Sequence, residues 1–145
     1  MDALLIAMML WLSANFDLPT VQEVPRIQYA PAAAMVALRH DNSSSANPSG
    51  PDSAAADTLA VYRDDTQTIY LRDEWRGHTA ADLSILLHEL VHHMQNIGKR
   101  KFECSQQREQ LAYQAQDRWL NLFATDLQKE FGLDAFTLLV KSSCY

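Results

Sequence analysis

The chain has 145 residues, 48% of them hydrophobic and three of them Trp, enough to bury a core of its own and about the size of one domain. Its net charge of −6 argues against nucleic acid or an anionic membrane surface as the main partner. No apolar run reaches the roughly 18 residues that a membrane span requires. The organisation expected is a single domain over residues 1–145.

Ala3 to Leu12 is strongly apolar and precedes Ser13-Ala14-Asn15-Phe16-Asp17-Leu18-Pro19, which has the look of a helix end and its exit turn. We read it as a first, buried helix, with a native leader removed and Met1 added as one origin of this start. A signal-peptide core is the alternative, weakened by the Met1-Asp2 flank and by the lack of Lys or Arg before Arg26. Arg26 to Tyr29 reads as a short strand, and Ala32 to Leu38 as a short helix whose first turn tolerates Pro31. Asp41 to Asp57 is rich in Ser, Asn, Ala, Pro and Gly and is expected to be a flexible loop, either an exposed excursion or a flap near a cleft.

Leu59 to Tyr62 and Thr68 to Leu71 are strand-like, and Arg63 to Gln67 between them makes a β-hairpin. After the connection Asp73 to His78, Thr79 is placed to cap a helix and Asp82 to sit favourably in its first turn. That helix should run to about Asn96 and stop at Gly98. Lys99-Arg100-Lys101 reads as a solvated connector. A second helix is expected from a Ser105 cap to about Thr125, with Leu111, Ala115, Trp119, Leu122 and Phe123 as its apolar stripe. Glu109, Tyr113 and Gln116 share another side of it. Asp126 to Phe131 should end at Gly132, and Asp134 should cap a last helix, Ala135 to Lys141, whose Phe136, Leu138, Leu139 and Val140 look like core.

The chemistry is concentrated in His88-Glu89-Leu90-Val91-His92, an H-E-x-x-H pattern. Residues four apart on a helix lie one above the other, so the two imidazoles can share one ion, and neutral imidazole suits zinc. Glu89 then lies beside the ion, placed to take a proton from its water. Leu83, Leu86, Leu87, Leu90, Val91 and Met94 give the segment the apolar surface of a buried helix. The plain alternative is a helix whose histidines are surface residues or satisfied core residues.

This stretch resembles the active-site helix of the zincin metallopeptidases, and Glu109, downstream on the second helix, resembles the third ligand of the gluzincin branch. The metzincin pattern does not fit, because Gly98 is misplaced and no His follows His93. The resemblance covers residues from about Thr66 to Trp119. It implies an α+β, zincin-like fold, mostly helical with a small sheet before the active helix. It also implies a zinc ion held by His88, His92 and Glu109, with a fourth position left for water. Glu103 is the rival ligand, but it precedes the expected helix and is less rigidly held. Asp117 is expected to be a surface acid or a partner of the ligands.

The reaction so implied is peptide-bond hydrolysis on a peptide or protein substrate, with Glu89 as general base. Tyr113, His93 and His78 are candidate donors to the oxyanion, and Tyr113 leads because it lies one helical turn past Glu109. By the same resemblance Thr68, Tyr70 and Arg72 belong to a sheet edge that pairs with extended substrate, the alternative being a strand fully paired inside the sheet. The chain is short for such a peptidase, which usually has a second lobe. A catalytically inactive, zinc-stabilised binding or assembly module is therefore the second functional expectation. Cys104 and Cys144, the two cysteines, fit one structural disulfide and a periplasmic or secreted protein. Free thiols in a cytoplasmic protein, or Cys104 as a metal ligand, are the alternatives.

Overall fold

A computed structural model describes residues 1–20, 22–42 and 59–144. The elements are α1 (Asp2–Asn15), β1 (Arg26–Ala30), α2 (Ala32–Asn42), β2 (Ala60–Arg63), β3 (Thr68–Arg72), α3 (Ala80–Ile97), α4 (Glu109–Asn121), α5 (Leu127–Phe131) and α6 (Ala135–Ser142). This is an α+β fold. The loop expected over 41–57 lies, from residue 43 onward, outside the described residues; 41 and 42 belong to α2.

Strand alternation sorts the sheet into two faces. Tyr62, Ile69 and Leu71 point into the main core, where Leu5, Met8, Met9 and Leu12 of α1 meet Leu86, Leu87, Leu90, Val91 and Met94 of α3. Val61 and Tyr70 point the other way, toward Ala34, Met35 and Leu38 of α2. The sheet is thus sandwiched between α2 and the α1–α3 layer, and α4 packs along α3. Each fully buried Leu or Met of α3 stabilises this arrangement by about 1.5–3 kcal/mol relative to exposure.

The strand order is β1-β3-β2, with β3 parallel to β1 and antiparallel to β2. Thr68, Tyr70 and Arg72 therefore lie on the central strand, Thr68 and Tyr70 with ladder partners on both sides and Arg72 paired with Ala30 and bonded to the Leu59 carbonyl, and the expectation that they form a substrate-pairing edge is corrected. The outer strands among the described residues are β1 and β2.

The start of α3 follows its local signals. Thr79 is extended (φ −118°, ψ 158°) and its hydroxyl accepts from Asp82 N–H at 3.1 Å. Asp82 reaches back to accept from Gly77 N–H, and its carbonyl accepts from the Trp75 indole at 2.8 Å. Gly77 has φ +73°, and a Cβ there would sit 2.6 Å from the Trp75 ring, so both the backbone and the folded-back indole call for glycine. At the other end Gly98 stops the helix, yet it is right-handed (φ −73°), and Lys99 takes the left-handed position (φ 55°). A Cβ on Gly98 would meet Pro19 at 2.8 Å. Close approach of the chain after α1, rather than a left-handed turn, is what this glycine provides.

Other boundaries differ from expectation. The second helix begins at Glu109, not Ser105, because residues 103–108 form turns in which Glu103 N–H donates to the Gln107 side chain. It ends at Asn121, which leaves Leu122 and Phe123 exposed instead of in the apolar stripe. In α6, Phe136, Leu139 and Val140 are exposed and Leu138 is only partly covered, so this helix does not contribute the core expected of it. Along α1, Leu5, Met8, Met9 and Leu12 are buried while Ile6 and Leu10 are exposed, making the helix half-buried. Asp134 caps the last helix as expected, accepting from Thr137 N–H, and Gly132 is left-handed after Phe131; Asp126, expected as the first residue of its helix, instead caps it, accepting from Lys129 N–H.

Cys104 and Cys144 are joined in a disulfide, which ties the end of α6 to the turns that lead into α4. Closing a loop with a sequence separation of 40 stabilises by about 4 kcal/mol in the chain-entropy description. The bond excludes Cys104 as a thiolate ligand and points to an oxidising environment. No helix among the described residues is long and apolar enough to cross a membrane.

Candidate metal centre

Helix α3 carries His88 and His92 one turn apart on the face turned toward α4, and α4 brings Glu109 on its first turn. The His88 Nε2 lies 2.8 Å from Glu109 Oε2, and the His92 Nε2 lies 3.1 Å from Glu109 Oε1. The imidazole rings stand edge to face, with centroids 5.0 Å apart. The ligand atoms of His88, His92 and Glu109 fall within 4.8 Å of one another, so the group can hold a metal ion.

The outer nitrogens of both rings are held by glutamine amides. His88 Nδ1 is 2.9 Å from Gln116 Oε1, and Gln116 Nε2 donates to Ser84 Oγ at 3.1 Å. His92 Nδ1 is 3.0 Å from Gln95 Oε1, and Gln95 Nε2 donates to the Arg108 carbonyl at 3.2 Å. An amide oxygen only accepts, so each Nδ1 must carry the proton. Each neutral Nε2 then presents a lone pair toward the lone pairs of Glu109. Three acceptors in such contact repel unless a cation lies among them, and the donor set fits a metal ion.

In the metal-free protein a proton takes that part. Burial pushes the His88 imidazolium down, but the Glu109 carboxylate, assisted by Glu89 and Gln116, outweighs it and raises the pKa to about 9. Burial works against ionised Glu109 as well, yet the two imidazoles hold it well below the usual carboxylate range.

Glu89 is buried on the turn of α3 between His88 and His92 and is not part of the converging group. The Tyr113 ring packs edge-on against His88, with centroids 4.7 Å apart. Burial raises its pKa, and the Glu109 charge adds to this, so the phenol keeps its proton.

Several other candidates lie away from the site or are already engaged. His93 is fully buried, donates through Nε2 to the Glu23 carbonyl at 2.7 Å and accepts through Nδ1 from the Tyr62 hydroxyl at 3.0 Å. Burial lowers its pKa and it stays neutral, a link between α3, β2 and the segment before β1. His78 is exposed in the connection before α3. Glu103 is exposed in the turns before α4 and is not part of the converging group. Asp117 accepts from Leu127 N–H at 3.0 Å and so serves the start of α5.

Gln95, Ser84 and Arg108 are site residues that sequence reasoning passed over. Arg108 lies immediately before Glu109, and its guanidinium makes two 2.9 Å bonds to Asp64 in the β2–β3 turn. The available signal was spacing: Gln95 follows His92 by three residues on the same helix, and Ser84 precedes His88 by four.

Comparison with curated proteins and with solved structures finds no match for the chain. The family described as domain of unknown function (DUF6647) matches residues 1–145, and the chain belongs to that family.

Proposed function

We propose that the protein is a zinc-dependent metallopeptidase that hydrolyses peptide bonds, with His88, His92 and Glu109 as metal ligands and Glu89 as general base. The observation that carries this reading is the convergence of two Nε2 lone pairs and one carboxylate, with both Nδ1 protons already committed to amides. Two neutral imidazoles and a carboxylate suit zinc, and His88, His92 and Glu109 would hold it. Bound there, zinc would supply Lewis acidity to the attacking water and the substrate carbonyl.

Glu89 takes the proton of the attacking water on a carboxylate oxygen and returns it to the leaving amine. Tyr113, kept protonated beside His88, donates its O–H to the developing oxyanion. The Cys104–Cys144 bond supports work in the periplasm or outside the cell.

The test is to load purified protein with one equivalent of zinc and follow cleavage of a mixed peptide library by mass spectrometry. A metal-edge fluorescence scan and anomalous density on crystals identify the bound ion. Zinc-dependent cleavage that a chelator abolishes is the expected result. Zinc bound at these three residues without cleavage would replace the peptidase by a zinc-stabilised binding module.

Metal binding should depend on pH with a definite sign. Below about pH 9 the metal-free site holds a proton on His88, and zinc must displace it. Apparent zinc affinity is therefore expected to rise about tenfold per pH unit across the neutral range and to level off near pH 9. Chelator competition at pH 6, 7 and 8 measures the slope. Calorimetry in buffers of different ionisation enthalpy should report about one proton released at pH 7.

A further inference from the structure

We infer that Gln95 and Gln116 are a matched pair of positioning residues for the two metal-ligating imidazoles, and that the site requires amides there rather than carboxylates. The inference deepens the metal-site reading above and depends on it for its functional meaning.

The orientation of each amide is fixed by its second partner. Ser84 has one hydroxyl proton and donates it to the Ala81 carbonyl at 2.7 Å, so toward Gln116 it can only accept. The Arg108 carbonyl is an acceptor outright, so it takes the amide N–H of Gln95. Both amide oxygens are thereby aimed at imidazole nitrogens. Gln95 and Gln116 are 1% and 5% exposed, so neither side chain has water as a ready substitute partner.

The geometry also crosses over between helices. Helix α4 supplies the ligand Glu109 and, two turns on, the partner of His88. Helix α3 supplies both histidines and the partner of His92, which in turn grips the backbone just before Glu109. Docking α4 on α3 therefore sets the carboxylate and both ring tautomers together.

The choice of amide has a consequence for charge. Glu89 and Glu109 already place two carboxylates around one dication. A carboxylate at position 95 or 116 would also accept from Nδ1–H, but it would draw that proton, strengthen the imidazole as a donor and add negative charge. The ion would be held more tightly and would be a weaker Lewis acid. Glutamine fixes the tautomer and leaves the acidity of the ion intact.

Two measurements test this. In metal-free protein labelled with 15N-histidine, long-range 1H–15N correlations at pH 10 should show both His88 and His92 as the Nδ1–H tautomer. An Nε2–H tautomer at either ring overturns the inference whether or not zinc binds. Chelator competition then compares Gln95→Met, Gln116→Met and Gln116→Glu, each checked for folding by circular dichroism. The Met variants should lose about 10- to 100-fold in zinc affinity. Gln116→Glu, where the Ser84 hydroxyl can turn to donate to the new carboxylate, should bind at least as tightly as the parent while hydrolysing peptide more slowly. A packing role predicts the reverse, since Met fills the space and a buried charge does not. Met variants that bind as the parent does, or Gln116→Glu as weak as Gln116→Met, therefore overturn the assignment. Absence of zinc binding by the unaltered protein would instead defeat the metal-site reading, and the tautomer result would still decide the hydrogen-bond assignment.

Discussion

Replacing Glu89 by Gln is expected to leave zinc bound and to lower peptide hydrolysis by about 100- to 10,000-fold. Glu89 occupies the turn of α3 between the two histidines, so it shares their helix without joining the group that can hold an ion. Glutamine has the same shape and keeps the packing of the buried side chain, but it cannot hold a proton between the attack of water and the departure of the amine. Removing one negative charge beside the dication weakens binding only modestly, whereas the proton transfer is lost outright. Zinc affinity by chelator competition and turnover of a cleaved peptide, measured on the same preparation, separate the two effects. Turnover equal to the parent would remove Glu89 from the mechanism.

Half of the candidate site was legible because its placement is local. His88 and His92 share a face by one helical turn, and Glu109, Tyr113 and Gln116 share a side by the phase of one helix, but the choice of Glu109 as the third member came from the resemblance to the gluzincins and not from any local signal. What the glutamines do was not legible. The role of Gln116 depends on Ser84, and that of Gln95 on the Arg108 carbonyl, both fixed only when α4 docks on α3. Sheet order was likewise hidden. Thr68 to Arg72 alternates as an edge or an inner strand would, and only the non-local pairing with Arg26 to Ala30 puts it in the centre. The apolar side chains of α6 gave a sound helix but said nothing of what covers them, and Phe136, Leu139 and Val140 prove exposed. Ser105 has the chemistry of a cap. The turns beside the Cys104 disulfide, however, carry the chain past it before the helix begins at Glu109.

Glu109→Ala is expected to lower zinc affinity by well over about 100-fold, beyond the range typical for loss of a ligand's outer partner, while Glu103→Ala leaves it unchanged. Both oxygens of Glu109 are engaged, one at each imidazole, so no single neighbour can stand in for it. Glu103 is exposed and precedes a cysteine tied to the far end of the chain, which holds it in the turns. The opposite ranking of the two variants would exchange the ligands. Glu109→Ala carries a second signature in the metal-free protein. With the carboxylate gone, burial is opposed only by Glu89 and the Gln116 amide, and the His88 pKa should fall well below its value in the parent. In the parent the raised pKa contributes stability that is complete below about pH 6.5 and is lost as pH climbs through about 9, because the folded state there holds a proton the unfolded chain has released. Denaturant unfolding of the metal-free parent should therefore show stability declining between pH 6.5 and 9, and Glu109→Ala should lack that decline. A parallel decline in both proteins would mean that the proton is not shared between His88 and Glu109, and the charge pairing on which the metal centre depends would have to be redrawn.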